Sequence, residues 1–178
     1  MSETRTIQAP VSAISRHRIG TDGDGVTTLV VLHSCPLRCR WCINPQTWKE
    51  GYPFREMTPG QLLSNVRVDD LYFQATGGGI TFGGGEPALR SRFISAFRSI
   101  CPPLWKINIE TSLNVPAEHL ERLLHVIDEF VIDIKDMNPL IYREYTGMDN
   151  ARVIENLKWI ACAGKADRCL IRIPLIPG

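Results

Sequence analysis

Two hydrophobic periods alternate along this chain. Val26 to Leu32 is a β-branched apolar run of strand length, the pattern of a buried strand. Four later segments repeat with period two: Gly79 to Gly83, Trp105 to Glu110, Phe130 to Lys135 and Cys169 to Pro174. Helical spacing falls between them. Thr58 and Pro59 read as cap and first turn of a helix carrying Leu62, Leu63 and Val66. Further helices are expected from about Ala88 to Ile100, after Pro116 through Leu120, Leu123, Leu124 and Ile127, over Pro139 to Tyr145, and over Ala151 to Ala163. In the last, Val153, Ile154, Leu157 and Ile160 share a face. Alternating strands and helices imply an α/β fold with parallel strands and right-handed crossovers. Residues 1–20 read as an N-terminal arm with a short strand near Val11 to Ile14, ahead of a tight turn over Thr21 to Gly25. Residues 21–178 read as a single domain of about five strands.

Alternation assigns faces. Ile80, Phe82, Ile107, Ile109, Ile132, Ile134, Ile171 and Ile173 fall on one side, expected to lie under helices. Asn108, Glu110, Asp133, Lys135 and Arg172 gather on the other, beside Thr81 and Gly83. A parallel strand covered on both faces is nearly all apolar. Charges near the C-terminal ends of three strands therefore predict a lined cavity, the place where barrel enzymes put their sites, and a partial parallel barrel.

Composition narrows the class without choosing the chemistry. Apolar residues make up 44% and charged residues 22% of 178, as in a globular domain. A net charge of +1 gives no electrostatic case for nucleic acid or a membrane surface. The polar Met1 to Arg5 start does not read as a signal peptide, and no apolar run has transmembrane length. Six cysteines without an export signal point to a reducing cytoplasm.

Three of those cysteines, Cys35, Cys39 and Cys42, fall in one loop after the Val26 to Leu32 strand. Three thiolates can share one iron–sulfur cluster, and a [4Fe–4S] cluster with three protein ligands keeps one iron open. The competing reading is a zinc knuckle, for which His33 is the one nearby fourth ligand. The cavity suits a zwitterionic ligand with a carboxylate: Lys135 and Arg172 can neutralise the carboxylate, Asp133 and Glu110 can balance a cation. Glycines 83–85 allow close backbone approach, Glu86 can accept from an ammonium group, and Trp41 offers a flat apolar surface.

Cys-x3-Cys-x-aromatic-Cys, with Trp41 as the aromatic, resembles the signature loop of radical S-adenosylmethionine (SAM) enzymes. Gly84-Gly85-Glu86, Glu110-Thr111-Ser112, Asp133-Ile134-Lys135 and Arg172-Ile173-Pro174 leading into Pro177-Gly178 resemble the later motifs of the glycyl-radical-enzyme activating enzymes, the group of pyruvate formate-lyase activating enzyme. The resemblance implies a partial (β/α)6 TIM barrel and an anaerobic oxidoreductase. In it Cys35, Cys39 and Cys42 bind a [4Fe–4S] cluster and act through it. Trp41, Ile43, Gly84, Gly85, Glu86, Asp133, Ile134, Lys135 and Arg172 bind SAM. Glu110 and Asp133 hold a monovalent cation, and Asp22 contacts the substrate. It also implies reductive SAM cleavage to a 5′-deoxyadenosyl radical, a glycyl radical enzyme as partner, and flavodoxin or ferredoxin as electron donor. Only about 40 residues, none of them cysteine, separate Cys42 from the glycine motif at Gly84, so one cluster is expected.

There are two departures. Asp22-Gly23-Asp24-Gly25-Val26-Thr27 stands where the resemblance expects an arginine-ending Asp-Gly-Pro-Gly-Ile-Arg, and the chain stops one β/α unit short. Other readings are a single-cluster enzyme acting on a small molecule, of the deazapurine carboxylate synthase kind, and an inactive cluster-binding remnant. Cys101, Cys162 and Cys169 read as buried free thiols, and His119 and His125 are not spaced as a metal pair. Trp159 reads as packing, and Tyr142, Arg143 and Tyr145 as a solvated helix face.

Overall fold

The computed structural model describes residues 7–175. The first six residues of the expected arm, and Pro177-Gly178, lie outside it. One seven-stranded sheet carries the fold. Its strands are β1 (Ala9–Ile19), β2 (Val26–Leu32), β3 (Arg55–Met57), β4 (Gly79–Gly84), β5 (Lys106–Thr111), β6 (Glu129–Asp133) and β7 (Cys169–Arg172). In space the order is β3-β1-β2-β4-β5-β6-β7. The five strands read from the sequence pair in parallel as β2-β4-β5-β6-β7. The two end strands do not meet among the described residues, so the barrel is partial and unclosed, as expected.

The arm is corrected. Ala9–Ile19 is an eleven-residue strand, antiparallel to β2, and β3 extends it on its far side. Polar Ser12, Ser15, Arg16 and Arg18 hid its length, because much of this outer ribbon is not buried.

The described residues form six helices along the sheet: α1 (Pro59–Val66), α2 (Asp70–Thr76), α3 (Ser91–Arg98), α4 (Ala117–Leu123), α5 (Pro139–Thr146) and α6 (Ala151–Cys162). α1 begins with a reciprocal capping box: Thr58 Oγ1 accepts from Gln61 N, and Gln61 Oε1 accepts from Thr58 N. Outward-facing Ile80, Phe82, Ile107, Ile109, Phe130, Ile132 and Ile134 pack with Leu62, Phe73, Phe93, Phe97, Leu120 and Val153 in one core. Phe82 meets Phe97 edge to face at 5.6 Å, and Phe73 meets Trp105 at 4.9 Å. Each such ring removes roughly 1.5–3 kcal/mol worth of apolar surface from water.

Several boundaries differ. The Ala88–Ile100 helix divides into a 3₁₀ turn, Pro87–Arg90, and α3. α4 ends at Leu123, while Leu124 and Ile127 stay buried beyond it. The strand expected to reach Lys135 ends at Asp133. Ile171 and Ile173 are 44% and 65% exposed rather than covered, because β7 is an edge with no described element over it. No helix among the described residues is long and apolar enough to cross a membrane.

Candidate functional site

At the C-terminal ends of the parallel strands lies a cavity of about 490 Å³. Cys35, Cys39, Cys42, Trp41, Ile43, Gly84, Gly85, Glu86, Glu110, Asp133, Lys135, Arg172 and Asp22 all line it. Ile134 does not: its side chain is buried in the core under the helices, and its amide donates to Arg172 O. Trp41 and Ile43 stand on the rim, 64% and 91% exposed.

The cysteine loop is held from two sides. Glu86 N donates to Ser34 O at 2.8 Å and Gly85 N to Leu32 O at 3.0 Å. A Cβ on Gly85 would fall 2.3 Å from Ser34 O, so only glycine lets the two backbones run this close. On the other side Arg38 N and Arg40 N donate to the Thr146 and Tyr145 carbonyls at the end of α5. Arg38 closes the loop, giving a hydrogen bond to Cys35 O and stacking on Trp48.

Glu86 differs from its sequence reading. Oε1 accepts from Thr111 Oγ1 (2.7 Å) and Ala88 N (3.2 Å); Oε2 accepts from Ser112 N (2.9 Å) and Ser112 Oγ (2.6 Å). These four bonds occupy the carboxylate's lone-pair directions. Glu86 thus ties the glycine turn to the end of β5, its carboxylate already engaged where it borders the cavity beside Gly84 and Gly85. Burial raises its pKa despite those bonds.

The charges on the polar face form a chain. Lys135 Nζ donates to Asp133 Oδ2 at 3.1 Å, Arg172 Nε to Asp133 Oδ1 at 2.9 Å, and Arg172 Nη2 pairs with Glu110 Oε1 at 2.9 Å. Register makes this possible, since Asp133 and Arg172 are direct partners across β6 and β7. Gly83 makes room: a Cβ there would meet Glu110 Oε2 at 2.5 Å. Burial raises Glu110, outweighing Arg172, while Glu110 and Asp133 raise Arg172 against the burial that opposes it.

Burial pushes the Cys35 thiol up to about 12, with Glu86 adding to it. Burial also raises Cys39, and Lys135 offsets part of that rise. None of the three is in a disulfide, and of the other free cysteines only Cys101 is buried: Cys162, at the end of α6, is exposed and Cys169, on edge strand β7, is half-buried. Among the described residues no three His, Cys, Asp or Glu side chains stand as the ligands of a single metal ion. A four-iron cube spreads its sulfur ligands more widely than one ion does, and three thiols on one cavity mouth with a small-residue turn beneath fit that larger group. His33 is elsewhere, its ring 4.9 Å from Phe54.

Two tyrosines of α5 stand otherwise than their sequence reading. Tyr145 is buried and lines the cavity wall, whereas Tyr142 is buried in the core, its hydroxyl accepting from Asn114 Nδ2 at 3.1 Å. These two tyrosines are therefore not on a solvated face; their spacing of three residues on a helix was the available signal. Arg18 also lines the cavity, paired with Asp22, and no pattern in the sequence marked it.

The radical SAM superfamily profile matches residues 29–178. Curated relatives include the (2S)-3-sulfopropanediol dehydratase activating enzyme of Klebsiella oxytoca, 27% identical over 88% of this chain and 68% of that protein. They also include pyruvate formate-lyase 2-activating enzyme of Escherichia coli, 29% identical over 96% of this chain and 68% of that protein. A third is pyruvate formate-lyase-activating enzyme of Listeria monocytogenes, 30% identical over 88% of this chain and 64% of that protein. The chain thus spans about two thirds of these relatives' length. Among solved structures, Streptococcus suis SuiB bound to precursor peptide SuiA superposes with TM-score 0.61 at 20% identity, covering 80% of this chain and 31% of that one. QueE from Escherichia coli superposes with TM-score 0.55 at 15% identity, covering 96% and 86%. These two likenesses show the fold alone.

Proposed function

Because this chain belongs to the radical SAM superfamily, we propose that it cleaves S-adenosylmethionine reductively and thereby installs a glycyl radical on a partner enzyme. The observation that carries this is the meeting of Cys35, Cys39 and Cys42 with the Lys135–Asp133–Arg172–Glu110 chain in one cavity. The relatives named as activating enzymes support the choice of a protein glycine as substrate.

When bound, a reduced [4Fe–4S] cluster and SAM supply the electron transfer and bond cleavage that give methionine and a 5′-deoxyadenosyl radical. Cys35, Cys39 and Cys42 would hold such a cluster, with SAM bound in the same cavity. Gly84 and Gly85 offer backbone carbonyls to the amino group. Lys135 and Arg172 neutralise the carboxylate, and Trp41 and Ile43 close over the adenine from the rim. Ile134 contributes only its backbone. Glu110 and Asp133 are the pair a monovalent cation would take, in competition with Arg172. Asp22 meets the incoming glycine segment. Flavodoxin or ferredoxin supplies the electron, and the setting is an anaerobic cytoplasm.

The test is anaerobic reconstitution of the whole chain with iron and sulfide, then dithionite and SAM. 5′-Deoxyadenosine is the expected product. A brown protein that binds SAM without making it would support the inactive-remnant reading instead.

A further inference from the structure

The register of β1 on β2 slips by one residue. Ser15 stands opposite Leu29, but Arg18 stands opposite Thr27. His17 absorbs the extra residue with φ of 55°, a left-handed value rare for a non-glycine residue. Residues directly opposite in an antiparallel ladder share a face. Leu29 faces the cavity, and Thr27, two residues away, shares its face. Without the slip His17 would oppose Thr27 and Arg18 would turn toward the helices. With it, the His17 ring packs 4.6 Å from Tyr72 and 3.4 Å from Asp69 Oδ1, and Arg18 enters the cavity.

Inside, Arg18 Nε and Nη2 donate to the two carboxylate oxygens of buried Asp22. This fork leaves Nη1 without a partner among the described residues, on a side chain 35% exposed. Thr81 and Asn108 donate to the Asp22 carbonyl, so the pair is anchored from below. The bond to Asp22, against the cost of burial, and then the charge of Glu110 raise the Arg18 pKa. The guanidinium is thus already balanced by Asp22. A second carboxylate at Nη1 would lie against that of Asp22; a neutral oxygen meets no such repulsion.

We propose that Arg18 Nη1 hydrogen-bonds a main-chain carbonyl of an extended peptide segment entering beside Asp22, which makes Arg18 a substrate-binding residue. This rests on the reading that a protein glycine is the substrate. The bulge at His17 is then the device that aims the donor, and the balanced charge selects a neutral peptide over a small carboxylate.

The test uses the whole chain and a fluorescein-labelled, C-amidated Ala-Ala-Gly-Ala-Ala peptide, followed by fluorescence anisotropy. Wild type should bind saturably, Arg18→Gln at least about fivefold more weakly (the loss of one hydrogen bond), and Arg18→Lys in between. Equal binding by wild type and Arg18→Gln, or no saturable binding by wild type, would overturn the proposal. If Arg18→Gln does not fold, the Arg18→Lys comparison decides, with equal binding again the overturning result. Wild-type SAM cleavage, assayed separately, tests the reading beneath it. Peptide binding without cleavage removes that reading and leaves the Arg18 contact standing. Cleavage with binding indifferent to Arg18 does the reverse.

Discussion

Ser112 Oγ donates to Oε2 of Glu86 over 2.6 Å, and the Ser112 amide reaches the same oxygen at 2.9 Å. A glutamate expected to greet a ligand is instead the bolt between the glycine turn after β4 and the end of β5. Glu86→Gln should therefore destabilise the apo protein, because an amide nitrogen would face donors where an acceptor is required. The cost should be on the order of 2 kcal/mol, read as a lower urea midpoint with unchanged slope. Unchanged stability with lost SAM affinity would make Glu86 a ligand contact after all.

Arg172 bridges Glu110 and Asp133. On the proposed reading it also meets the carboxylate of SAM, and removing it deletes a charge-assisted contact worth roughly 1.5–3 kcal/mol, or roughly ten- to a hundredfold in Kd. Arg172→Gln should weaken SAM binding by that factor in tryptophan-fluorescence titrations of the reconstituted protein. It also leaves two acids without their counter-charge, so potassium should recover part of the loss in the variant and little in wild type. Equal potassium response in both would remove the cation from the account.

Gly85→Ala places a methyl 2.3 Å from Ser34 O and 2.8 Å from Leu32 O, both backbone. Neither can move without shifting Cys35. Overpacking of this kind costs about 1–3 kcal/mol, and the variant should take up less than half the iron of wild type in parallel reconstitutions. Full iron content would show that the loop is more tolerant than the contact implies.

His119 offers a pH test away from the cavity. Burial pushes it below its ordinary 6.5; Arg122, Arg90 and Arg92 add to this and Glu118 opposes it. Its Nδ1 lies 3.0 Å from Ser91 Oγ. Between the lowered folded value and 6.5 the unfolded chain binds more protons, so stability rises with pH through that window. The contribution is complete above 6.5 and is lost as pH falls. The wild-type-minus-His119→Gln difference in urea midpoint should therefore grow from about pH 5 to about pH 7. A flat difference contradicts the depression.

How much of this the sequence disclosed depends on where signals are local. Ile107 and Ile109 against Asn108 and Glu110 placed both the core and the polar face, because strand alternation needs no tertiary information. Cys35, Cys39 and Cys42 were legible through spacing. Arg18 was not: the slip at His17 reverses alternation, and only the partner strand reveals it. β1 was underestimated because its exposed ribbon carries polar residues at many positions. α2 was missed because its Leu71 and Tyr72 are exposed and Phe73 alone among its residues is buried. Glu86 was located by its motif, yet its partners come from another strand, so its bonding could not be read in advance.

The central claim is that three thiols hold a cluster whose open corner faces a SAM-binding cavity. The most direct measurement is the electron paramagnetic resonance spectrum of the reconstituted, dithionite-reduced protein with and without SAM. Wild type should give a reduced-cluster signal that changes shape when SAM is added, and Cys39→Ala should give none. A wild-type spectrum indifferent to SAM, or a full cluster signal in Cys39→Ala, would contradict the claim.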